Sequence, residues 1–460
     1  MNGANREILR LAVPSILANI TVPLVGMVDI AVAGHLVGGI GSSGAAEFIG
    51  GITIGSLLFD LLYWNFAFLR ISTGGLTAQA FGKKDFQECT DIFARSLGIS
   101  LIISLIILLL QSPFPKAAFL IVKTSPTVKS LALQYFFIRI WAAPATLSLM
   151  VFKGWFVGMQ DSFSSMVTDL VVNAVNIAAS IALTLGVGSW EGIGYPGIAI
   201  GTVIAQYSGL FTAAVIIRFK YGWMHFRVKK PDYRKMKEIM SMNSDLFIRS
   251  VCFIAIYIGY TTIAARYGDV FLSASSILMK ILMLFSYFTD GFAYSGEALS
   301  GRFIGERNAT ALKRTIRLVF LWSMGVAVLF IIVYAAAGPG IVALMTSDAE
   351  VADACDRFLW WLIVMPPLGC AAFTWDGIYE GATATSAVRN AMIISTAAFF
   401  GIYFAGIYLT NIPSSSDGTD LASDAMHLLM TAYFAHLLAR TLYLTLFYRN
   451  NVLRQAENQR

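Results

Sequence analysis

The segment GGLTAQAFGKK, Gly74 to Lys84, has a counterpart later in the chain in GEALSGRFIGER, Gly296 to Arg307. One shift of the sequence against itself superposes the two segments, placing Gly82 on Gly305, and this repeat offset also pairs Pro144 with Pro367. A slightly larger shift aligns VAGHL with AARYG in the first spans, and the excess is expected in the glycine-rich loop VGGIGSSGAAEF. Self-similarity at a fixed offset is the mark of a repeated architecture, so the chain is predicted to consist of two equivalent halves.

The composition places both halves in a membrane. Of the 460 residues, 57% are hydrophobic and 13% are charged, whereas soluble domains contain about 25% charged residues. The fold class predicted from this composition is an all-α membrane protein with twelve transmembrane helices. Each run of about 20 apolar residues is long enough to cross the hydrocarbon core. The predicted spans are 8–34, 46–68, 92–112, 131–153, 164–186, 197–217, 245–267, 271–297, 315–337, 357–379, 387–410 and 426–448.

The net charge of +6 lies mainly in segments between these spans. The longest basic segment is RFKYGWMHFRVKKPDYRKMK, Arg218 to Lys237, whereas SDAEVADACD, Ser347 to Asp356, carries only acids. Because basic loops stay on the cytoplasmic side, both termini and the linker at 218–244 are predicted to be cytoplasmic. This distribution indicates a protein of the cell inner (plasma) membrane in contact with lipids, and no nucleic-acid partner is expected.

The repeat and the linker predict the domain organisation. The segments are an N-lobe with helices 1–6 at 1–217, the linker at 218–244, a C-lobe with helices 7–12 at 245–450, and a cytoplasmic tail at 451–460. Because six is an even number, both halves insert with the same orientation, and their pseudo-twofold axis lies along the membrane normal. Such parallel repeats enclose a central cavity in many secondary transporters, and a duplicated scaffold is the alternative.

The first span contains an unusual carboxylate. In VPLVGMVDIAVAGHL, Val22 to Leu36, Asp29 lies within an otherwise apolar run. A charged side chain in the bilayer costs at least ~2.5–3.5 kcal/mol, so such residues are candidates for a functional role. Pro14 and Pro23 in the same helix remove backbone hydrogen bonds, and helix one is predicted to bend there. An ordinary static kink is the alternative.

Other polar residues in the first half form a candidate site with Asp29. Asn173, Asn176 and Ser180 lie on one face of span five at i, i+3 and i+7, and Thr202 lies one turn inside span six. A carboxylate, carboxamides and hydroxyls can together take a proton or a small hard cation. Interhelical hydrogen bonds, worth ~0.6–2 kcal/mol each, are the structural alternative for the asparagines.

The second half carries its own acids at the ends of spans eight and ten. Asp290, Glu297 and Asp376 form a candidate second polar site, and Glu380 follows one turn after Asp376. Glu297 and Glu380 are expected near the cytoplasmic side, where Arg302, Arg389 or Arg70 are candidate ion-pair partners. Asp60 in span two is ambiguous in the same way.

The sequence motifs typical of soluble enzymes are either absent from this chain or lack the structural context they require. GIGYPG, Gly192 to Gly197, fits a dinucleotide-binding pattern but follows no strand, and no phosphate-binding Walker sequence occurs. The four histidines and four cysteines lack ligand spacing. The protein is therefore predicted not to be an enzyme, and neither a cofactor nor a certain metal site is expected.

Several segments resemble one transporter family. FLRISTGGLTAQAFGKKD, Phe68 to Asp85, is similar to the span-two hallmark of the multidrug and toxic compound extrusion (MATE) family, in its DinF-like branch. DGFAYSGEALSGRFIGE, WDGIYEGATATSAVRNAM and VDIAVAGHL resemble further motifs of that branch. The resemblance covers essentially the whole chain.

The resemblance implies two six-helix lobes in a V-shaped arrangement around a central cavity. It implies export of amphipathic, often cationic, drug-like compounds in exchange for H⁺ or Na⁺, with Asp29 as the coupling residue. Tyr135, Asn176 and Thr202 match other positions of the family's N-lobe cation site. Ser180 stands where relatives carry a second carboxylate, and this departure weakens the case for a sodium site.

The sequence therefore predicts a monomeric antiporter driven by a transmembrane gradient of H⁺ rather than Na⁺. If Na⁺ is bound instead, Asp29, Asn176 and Thr202 are the candidate ligands. A flippase for lipid-linked precursors, from the same broader superfamily, is the alternative. A flippase is expected to line its cavity with basic residues, whereas the charges predicted within these spans are mainly acidic.

Overall fold

The computed structural model describes residues 3–36, 44–121, 124–222, 224, 233–410 and 419–457. Within these ranges the chain is helical, and the only β-type pairing is an isolated bridge between Val187 and Trp190. Most of the glycine-rich loop, the middle of the predicted linker and the end of the tail lie outside the described residues. The all-α membrane fold predicted from the sequence is confirmed.

The helices follow one another with short connections. Their bounds are α1 Gly3–Gly34, α2 Ala45–Tyr63, α3 Phe68–Gly82, α4 Phe86–Leu109, α5 Pro113–Ile121, α6 Pro126–Arg139, α7 Ala143–Gly158, α8 Ser162–Leu185, α9 Pro196–Lys220, α10 Tyr233–Ala265, α11 Asp269–Gly305, α12 Ala309–Met345, α13 Ala349–Gly381, α14 Thr385–Thr410, α15 Thr419–Tyr448 and α16 Arg454–Glu457. Short 3₁₀ segments at Trp64–Phe66 and Ile140–Ala142 join α2 to α3 and α6 to α7, and a π-helical turn at Arg449–Leu453 precedes α16.

Eleven stretches of the described chain are long and apolar enough to cross a membrane. They correspond in order to the first eleven predicted spans, and α15 covers the twelfth. Several helices are longer than predicted, reaching 37 residues in α11 and α12. The sequence prediction followed the apolar runs, whereas α12 and α13 begin earlier, directly after the polar capping residues Asn308 and Asp348.

Those caps define where the helices begin. Asp85, Asp161, Asn308 and Asp348 each accept a hydrogen bond from a backbone N–H in the first turn of the following helix. Side chains of this kind satisfy donors that have no partner within the helix. Asp85 and Asn308 are separated by the repeat offset that relates Gly82 to Gly305, so the caps repeat with the sequence.

The turns before three of these caps, and the turn after Gly381, also repeat. Four non-glycine residues adopt positive φ angles of 54–62°, and they form two pairs at the repeat offset: Lys84 with Arg307, and Gln160 with Thr383. In each turn, the N–H after the positive-φ residue bonds the carbonyl of the fifth residue before it, as in a Schellman motif. The internal repeat therefore extends to the backbone conformation.

Close helix contacts follow the same offset. A β-carbon on Gly158 would lie 2.7 Å from the carbonyl oxygen of Gly74, and one on Gly381 would lie 2.2 Å from that of Glu297. Only glycine allows two helices to approach this closely. The repeat predicted from the sequence is thus confirmed within each half.

The described chain forms two compact units. The N-terminal unit is Leu17–Ile239, and the C-terminal unit is Met1–Ile16 together with Met240–Arg460. The boundary falls inside α1, between Ile16 and Leu17. In the C-terminal unit, Phe285, Phe358 and Phe399 are fully buried in an aromatic and aliphatic core.

The two units differ in one feature that concerns the candidate site. In the N-terminal unit, spans two and four are each interrupted by a 3₁₀ turn, after Tyr63 and after Arg139. The equivalent helices of the C-terminal unit, α11 and α13, are continuous, although α13 contains Pro366 and Pro367. The breaks place the ends of two half-helices inside the N-terminal unit.

Candidate functional site

Asp29 is buried in the N-terminal unit with 7% of its surface exposed. Its Oδ1 atom has no hydrogen-bond partner. Ser180 of α8 is a polar neighbour of the Asp29 carboxylate. Its Oγ atom, like Asp29 Oδ1, forms no hydrogen bond in the structure. A buried carboxylate without a donor at one oxygen is costly, and such groups are uncommon in folded proteins.

Asn176 lies one turn before Ser180 on the buried face of α8. Its Nδ2 donates to Thr202 Oγ1 of α9 over 3.0 Å, and the Thr202 hydroxyl donates to the carbonyl of Ile198. Asn176 Oδ1 has no partner. The predicted grouping of Asn176, Ser180 and Thr202 is therefore present, and it retains unused oxygen atoms at Asn176 and Ser180.

This grouping depends on the close packing of α8 and α9. A β-carbon on Gly201 would lie 2.8 Å from Ser180 Oγ. The α9 face toward α8 carries small residues at every fourth position: Gly197, Gly201, Ala205 and Gly209. Small residues let membrane helices approach closely, and here they bring the polar face of α8 against α9.

Asn173 has a different partner from Asn176. Its Nδ2 donates to Thr21 Oγ1 over 2.6 Å, and Thr21 in turn donates to the carbonyl of Ala18. The bond joins α8 to α1, the helix that carries Asp29. The two asparagines predicted as one cluster therefore divide between a tether to α1 and the polar pair with Thr202.

Tyr135 is buried in α6 and accepts a hydrogen bond from Arg139 Nη1 over 2.9 Å. The Arg139 guanidinium also lies 4.7 Å from the ring centre of Phe59. Its charge acts on both Asp29 and Asp60. The role of Tyr135 as a site residue stays a prediction, and in the structure its hydroxyl is bonded to Arg139.

The prolines of helix one lie within an uninterrupted α-helix. Helix α1 runs from Gly3 to Gly34 through both Pro14 and Pro23. Ser15 Oγ donates to the carbonyl of Leu11 over 3.0 Å in the same stretch. Bending at either proline stays a prediction.

In the C-terminal unit, Asp376 is fully engaged. Arg249 Nη2 donates to its Oδ2 over 2.6 Å, Arg440 Nε donates to its Oδ1 over 3.1 Å, and Arg440 Nη2 also pairs with it. Glu380 lies 3.5 Å from Arg249 Nη1. Two arginines that the sequence reasoning did not name therefore neutralise the acids of α13.

Two of the arginines considered as partners for the second-half acids pair with other carboxylates in the structure. Arg389 pairs with Asp245 over 2.5 Å, and Arg302 pairs with Glu306 over 2.8 Å. Glu380 instead pairs with Arg249, from predicted span seven. The remaining second-half candidates are Glu297, which is fully buried on α11, and Asp290, whose charge acts on Arg440.

A further buried acid, Asp161, lies in the turn before α8. It accepts hydrogen bonds from Lys220 Nζ over 2.7 Å, Tyr221 OH over 2.7 Å and Ser164 Oγ over 2.5 Å. Burial acts to raise the pKa of Asp161, but these donors outweigh it and hold the pKa below its ordinary value. Asp161 thus anchors the end of α9 to the start of α8.

Comparison with known proteins shows sequence matches that cover most of this chain. The MatE family model matches residues 14–182 and 246–409. "DNA damage-inducible protein F" of Escherichia coli (strain K12) is 33% identical over 402 residues, covering 87% of this chain and 85% of that protein. "Probable multidrug resistance protein NorM" of Xylella fastidiosa (strain 9a5c) is 21% identical, covering 86% of this chain and 83% of that protein.

The fold agrees with these sequence matches. A solved structure described as "Crystal structure of MATE in the bent conformation" superposes with a TM-score of 0.83 at 16% identity, covering 99% of this chain and 97% of that one. The repeated helical fold and the sequence matches define an integral membrane transporter. The chain belongs to the MatE family, that of multidrug and toxic compound extrusion, and the predicted resemblance is confirmed.

Proposed function

We propose that this protein exports amphipathic, often cationic, organic compounds in exchange for protons, and that Asp29 is the group that takes up the proton. The observation that carries this proposal is the state of Asp29: it is buried, and its Oδ1 has no hydrogen-bond donor. A carboxylate in low dielectric gains most from protonation when no donor already stabilises its charge.

Two other buried acids support this choice by contrast. Asp161 accepts from three side-chain donors, and Asp376 contacts two arginines. Protonating either acid would weaken these contacts. Asp29 can be protonated at Oδ1 without losing a hydrogen bond.

The surroundings of Asp29 favour H⁺ over Na⁺. A dehydrated Na⁺ needs several oxygen ligands and compensating negative charge, and Ser180 supplies only a neutral hydroxyl. The positive charge of Arg139 also interacts with Asp29, and it would repel a Na⁺ ion bound there. A proton needs no set of oxygen ligands, because it forms a covalent bond to one carboxylate oxygen.

Protonation would change what Asp29 can do to α8. The charged carboxylate only accepts hydrogen bonds, whereas the acid has one O–H to donate. Ser180 Oγ and Asn176 Oδ1, on the same face of α8, are acceptors without partners. A new bond there would hold α1 against α8, and the tether from Asn173 to Thr21 would transmit the change along α1 toward Pro23 and Pro14.

The cargo, membrane and assembly follow from the same proposal. A location in the cell's plasma membrane with both termini in the cytoplasm fits the basic segments between spans, and we expect the transporter to act as a monomer. The flippase alternative needs free cationic groups for a pyrophosphate. Arg249 and Arg440 are instead engaged by acids.

The test is transport by the purified full-length protein in proteoliposomes, with ethidium as the probe. An imposed pH gradient should drive ethidium exchange in the wild type, whereas a Na⁺ gradient alone should not. Asp29→Asn should bind ethidium but show no gradient-driven exchange. Glu191→Gln, which alters an exposed carboxylate of the same unit, should behave as the wild type.

Transport that follows the Na⁺ gradient and ignores the pH gradient would overturn the choice of ion. Wild-type exchange rates in Asp29→Asn would overturn the role of Asp29.

A further inference from the structure

An arginine lies where span four is broken, inside the N-terminal unit. Arg139 is the last residue of α6, and the 3₁₀ turn Ile140–Ala142 follows it. Its side chain is half-buried. A cation at a helix C-terminus is stabilised by the partial negative charge of the terminal carbonyls. The position therefore suits a permanent positive charge inside the membrane-spanning region.

The contacts of Arg139 hold its guanidinium in one place. Nη1 donates to Tyr135 OH over 2.9 Å, and the guanidinium lies 4.7 Å from the ring centre of Phe59 and 5.5 Å from that of Tyr135. Phe59 and Tyr135 are themselves buried and in edge contact. Cation–π contacts of this kind stabilise a guanidinium without neutralising its charge.

Two acids and two phenols lie close enough to act on the charge of Arg139, and all of them except Tyr135 come from two other helices. Asp29 of α1 and Asp60 of α2 are the acids, and Tyr63 of α2 and Tyr135 of α6 are the phenols. Neither carboxylate forms a salt bridge with Arg139 within the described residues. With both acids ionised, the two carboxylates and the guanidinium sum to a charge of −1.

The C-terminal unit shows the contrasting arrangement. There Arg440 and Arg249 touch Asp376 directly and remove its capacity to accept a further cation. In the N-terminal unit Arg139 forms no direct contact with Asp29, but its positive charge offsets part of the negative charge of that carboxylate. Asp29 Oδ1 therefore stays available to bind a cation. Arg139 therefore reduces the number of cations that the site needs without occupying the carboxylate.

We propose that Arg139 is a specificity-determining residue, a built-in counter-cation that takes the place of a second transported ion. With it, one proton neutralises the N-terminal site, and a sodium ion beside Asp29 is opposed by a fixed positive charge. This inference rests on the proposed function, in which Asp29 takes up the coupling ion.

The consequence is a defined charge balance for transport. Exchange of one proton for one monovalent cation such as ethidium moves no net charge. Without Arg139 the site would carry −2, and two cations would be needed to neutralise it. Exchange of two cations for one ethidium moves one net charge and becomes sensitive to membrane potential.

The experiment measures ethidium exchange in proteoliposomes at fixed pH gradient, with and without a membrane potential set by valinomycin and K⁺. Wild-type exchange should be unaffected by the potential. Arg139→Met keeps an apolar stem but removes the charge, and it should become potential-sensitive with a doubling of cations moved per ethidium. The same variant should also retain ²²Na⁺, which the wild type should not.

Two further variants keep the proposal testable if Arg139→Met folds poorly. Arg139→Lys keeps the charge and should keep potential-independent exchange. The double variant Asp60→Asn/Arg139→Met restores the sum to −1 and should return to one cation per ethidium. The double variant also lacks the extra negative charge that Arg139→Met alone would leave, and an uncompensated buried charge of that kind would hinder folding.

Two results would overturn the counter-cation role. One is a folded Arg139→Met whose exchange stays independent of potential and which retains no ²²Na⁺. The other is potential-sensitive exchange in the wild type. Asp29→Asn distinguishes failure of the proposed function from failure of this inference. If Asp29→Asn still shows gradient-driven exchange, the proposed function is wrong. If Asp29→Asn is inactive and Arg139→Met behaves as the wild type, only the role of Arg139 is wrong.

Discussion

The α-carbon of Gly154 lies directly against the carbonyl oxygen of Arg70, so that a β-carbon on Gly154 would be 2.2 Å from that oxygen. The same contact recurs at the repeat offset, where a β-carbon on Gly377 would be 2.1 Å from the carbonyl oxygen of Ala293. Neither contact can be relieved by rotating a side chain, because the opposing atom belongs to a helix backbone. Each half thus has the same backbone-to-backbone contact between its own second and fourth spans.

Gly154→Ala should therefore destabilise the protein. The added methyl group forces α7 away from α3, and overpacking of this kind costs about 1–3 kcal/mol. The matched control is Gly98→Ala on the exposed side of α4, where nothing lies within 4 Å of the new methyl group. That change should be neutral or stabilising by up to about 1 kcal/mol. Thermal unfolding in detergent measures both, and equal melting temperatures would contradict the predicted contact.

The ion pairs of Asp376 provide a second prediction. Arg440→Met should strongly destabilise the C-terminal unit, since removing one partner of a buried pair typically costs about 3–5 kcal/mol. The double variant Asp376→Leu/Arg440→Met should recover most of the loss, because it removes both charges and leaves Arg249 paired with Glu380.

Lys313→Met is the control for that prediction. Lys313 pairs with Glu457 over 3.5 Å on the surface, and exposed pairs contribute only about 0–1 kcal/mol. Denaturant titration in detergent compares the three variants. If the double variant is no more stable than Arg440→Met, the cost does not come from an uncompensated carboxylate.

Asp161 gives a pH-dependent prediction. Its donors hold its pKa in the folded protein below the ordinary value of 3.8. Stability contributed by such a carboxylate is complete above the unfolded pKa of about 3.9 and is lost as pH falls through the lower folded pKa. Asp161→Asn should thus lower the melting temperature at pH 7, and the difference from the wild type should shrink below about pH 3.9.

Melting temperatures of the wild type and Asp161→Asn across a pH series provide the test. Glu191→Gln controls for the change in net charge, since Glu191 lies exposed in the loop between α8 and α9. A difference that stays constant down to the lowest pH would show that the charge of Asp161 does not stabilise this turn.

The sequence predicted the features that depend on periodicity. The apolar runs indicated the order of the spans, and the repeat offset predicted an equivalence that the turns and glycine contacts follow. The charge partners were harder to predict. Arg249 and Arg440 lie within predicted spans, but their partner Asp376 is distant from both in sequence. Which helix faces meet depends on tertiary packing, which one helix pattern does not specify.

In the candidate site, too, the pattern of one helix did not predict which residues of other helices it contacts. Asn173 and Asn176 share a helix face, but only Asn176 is fully buried, while Asn173 is half-buried. Their partners come from different helices, Thr21 on α1 and Thr202 on α9. The step from one asparagine to the next turns the two side chains enough to reach different neighbours. Only the packing of α1, α8 and α9 distinguishes a tether from a site residue.

The last prediction concerns the stability of Asp29→Asn. A buried carboxylate with one oxygen that has no hydrogen-bond partner is destabilising, and its removal relieves a desolvation cost of about 1–3 kcal/mol for an unsatisfied group. Asparagine has nearly the same size and brings two N–H donors, and the neighbouring Ser180 Oγ, which has no hydrogen bond of its own, can accept from one of them. We therefore expect Asp29→Asn to melt at or above the wild-type temperature while gradient-driven export is lost. Functional sites often retain such a trade-off between stability and activity.

Asn173→Leu is the contrasting variant for that measurement. It breaks the 2.6 Å bond to Thr21 that joins α8 to α1, and interhelical bonds of this kind contribute about 0.6–2 kcal/mol. Its melting temperature should fall, whereas that of Asp29→Asn should not. If Asp29→Asn melts as low as Asn173→Leu, then Asp29 mainly holds α1 against its neighbours, and loss of export in that variant would no longer identify it as the coupling residue.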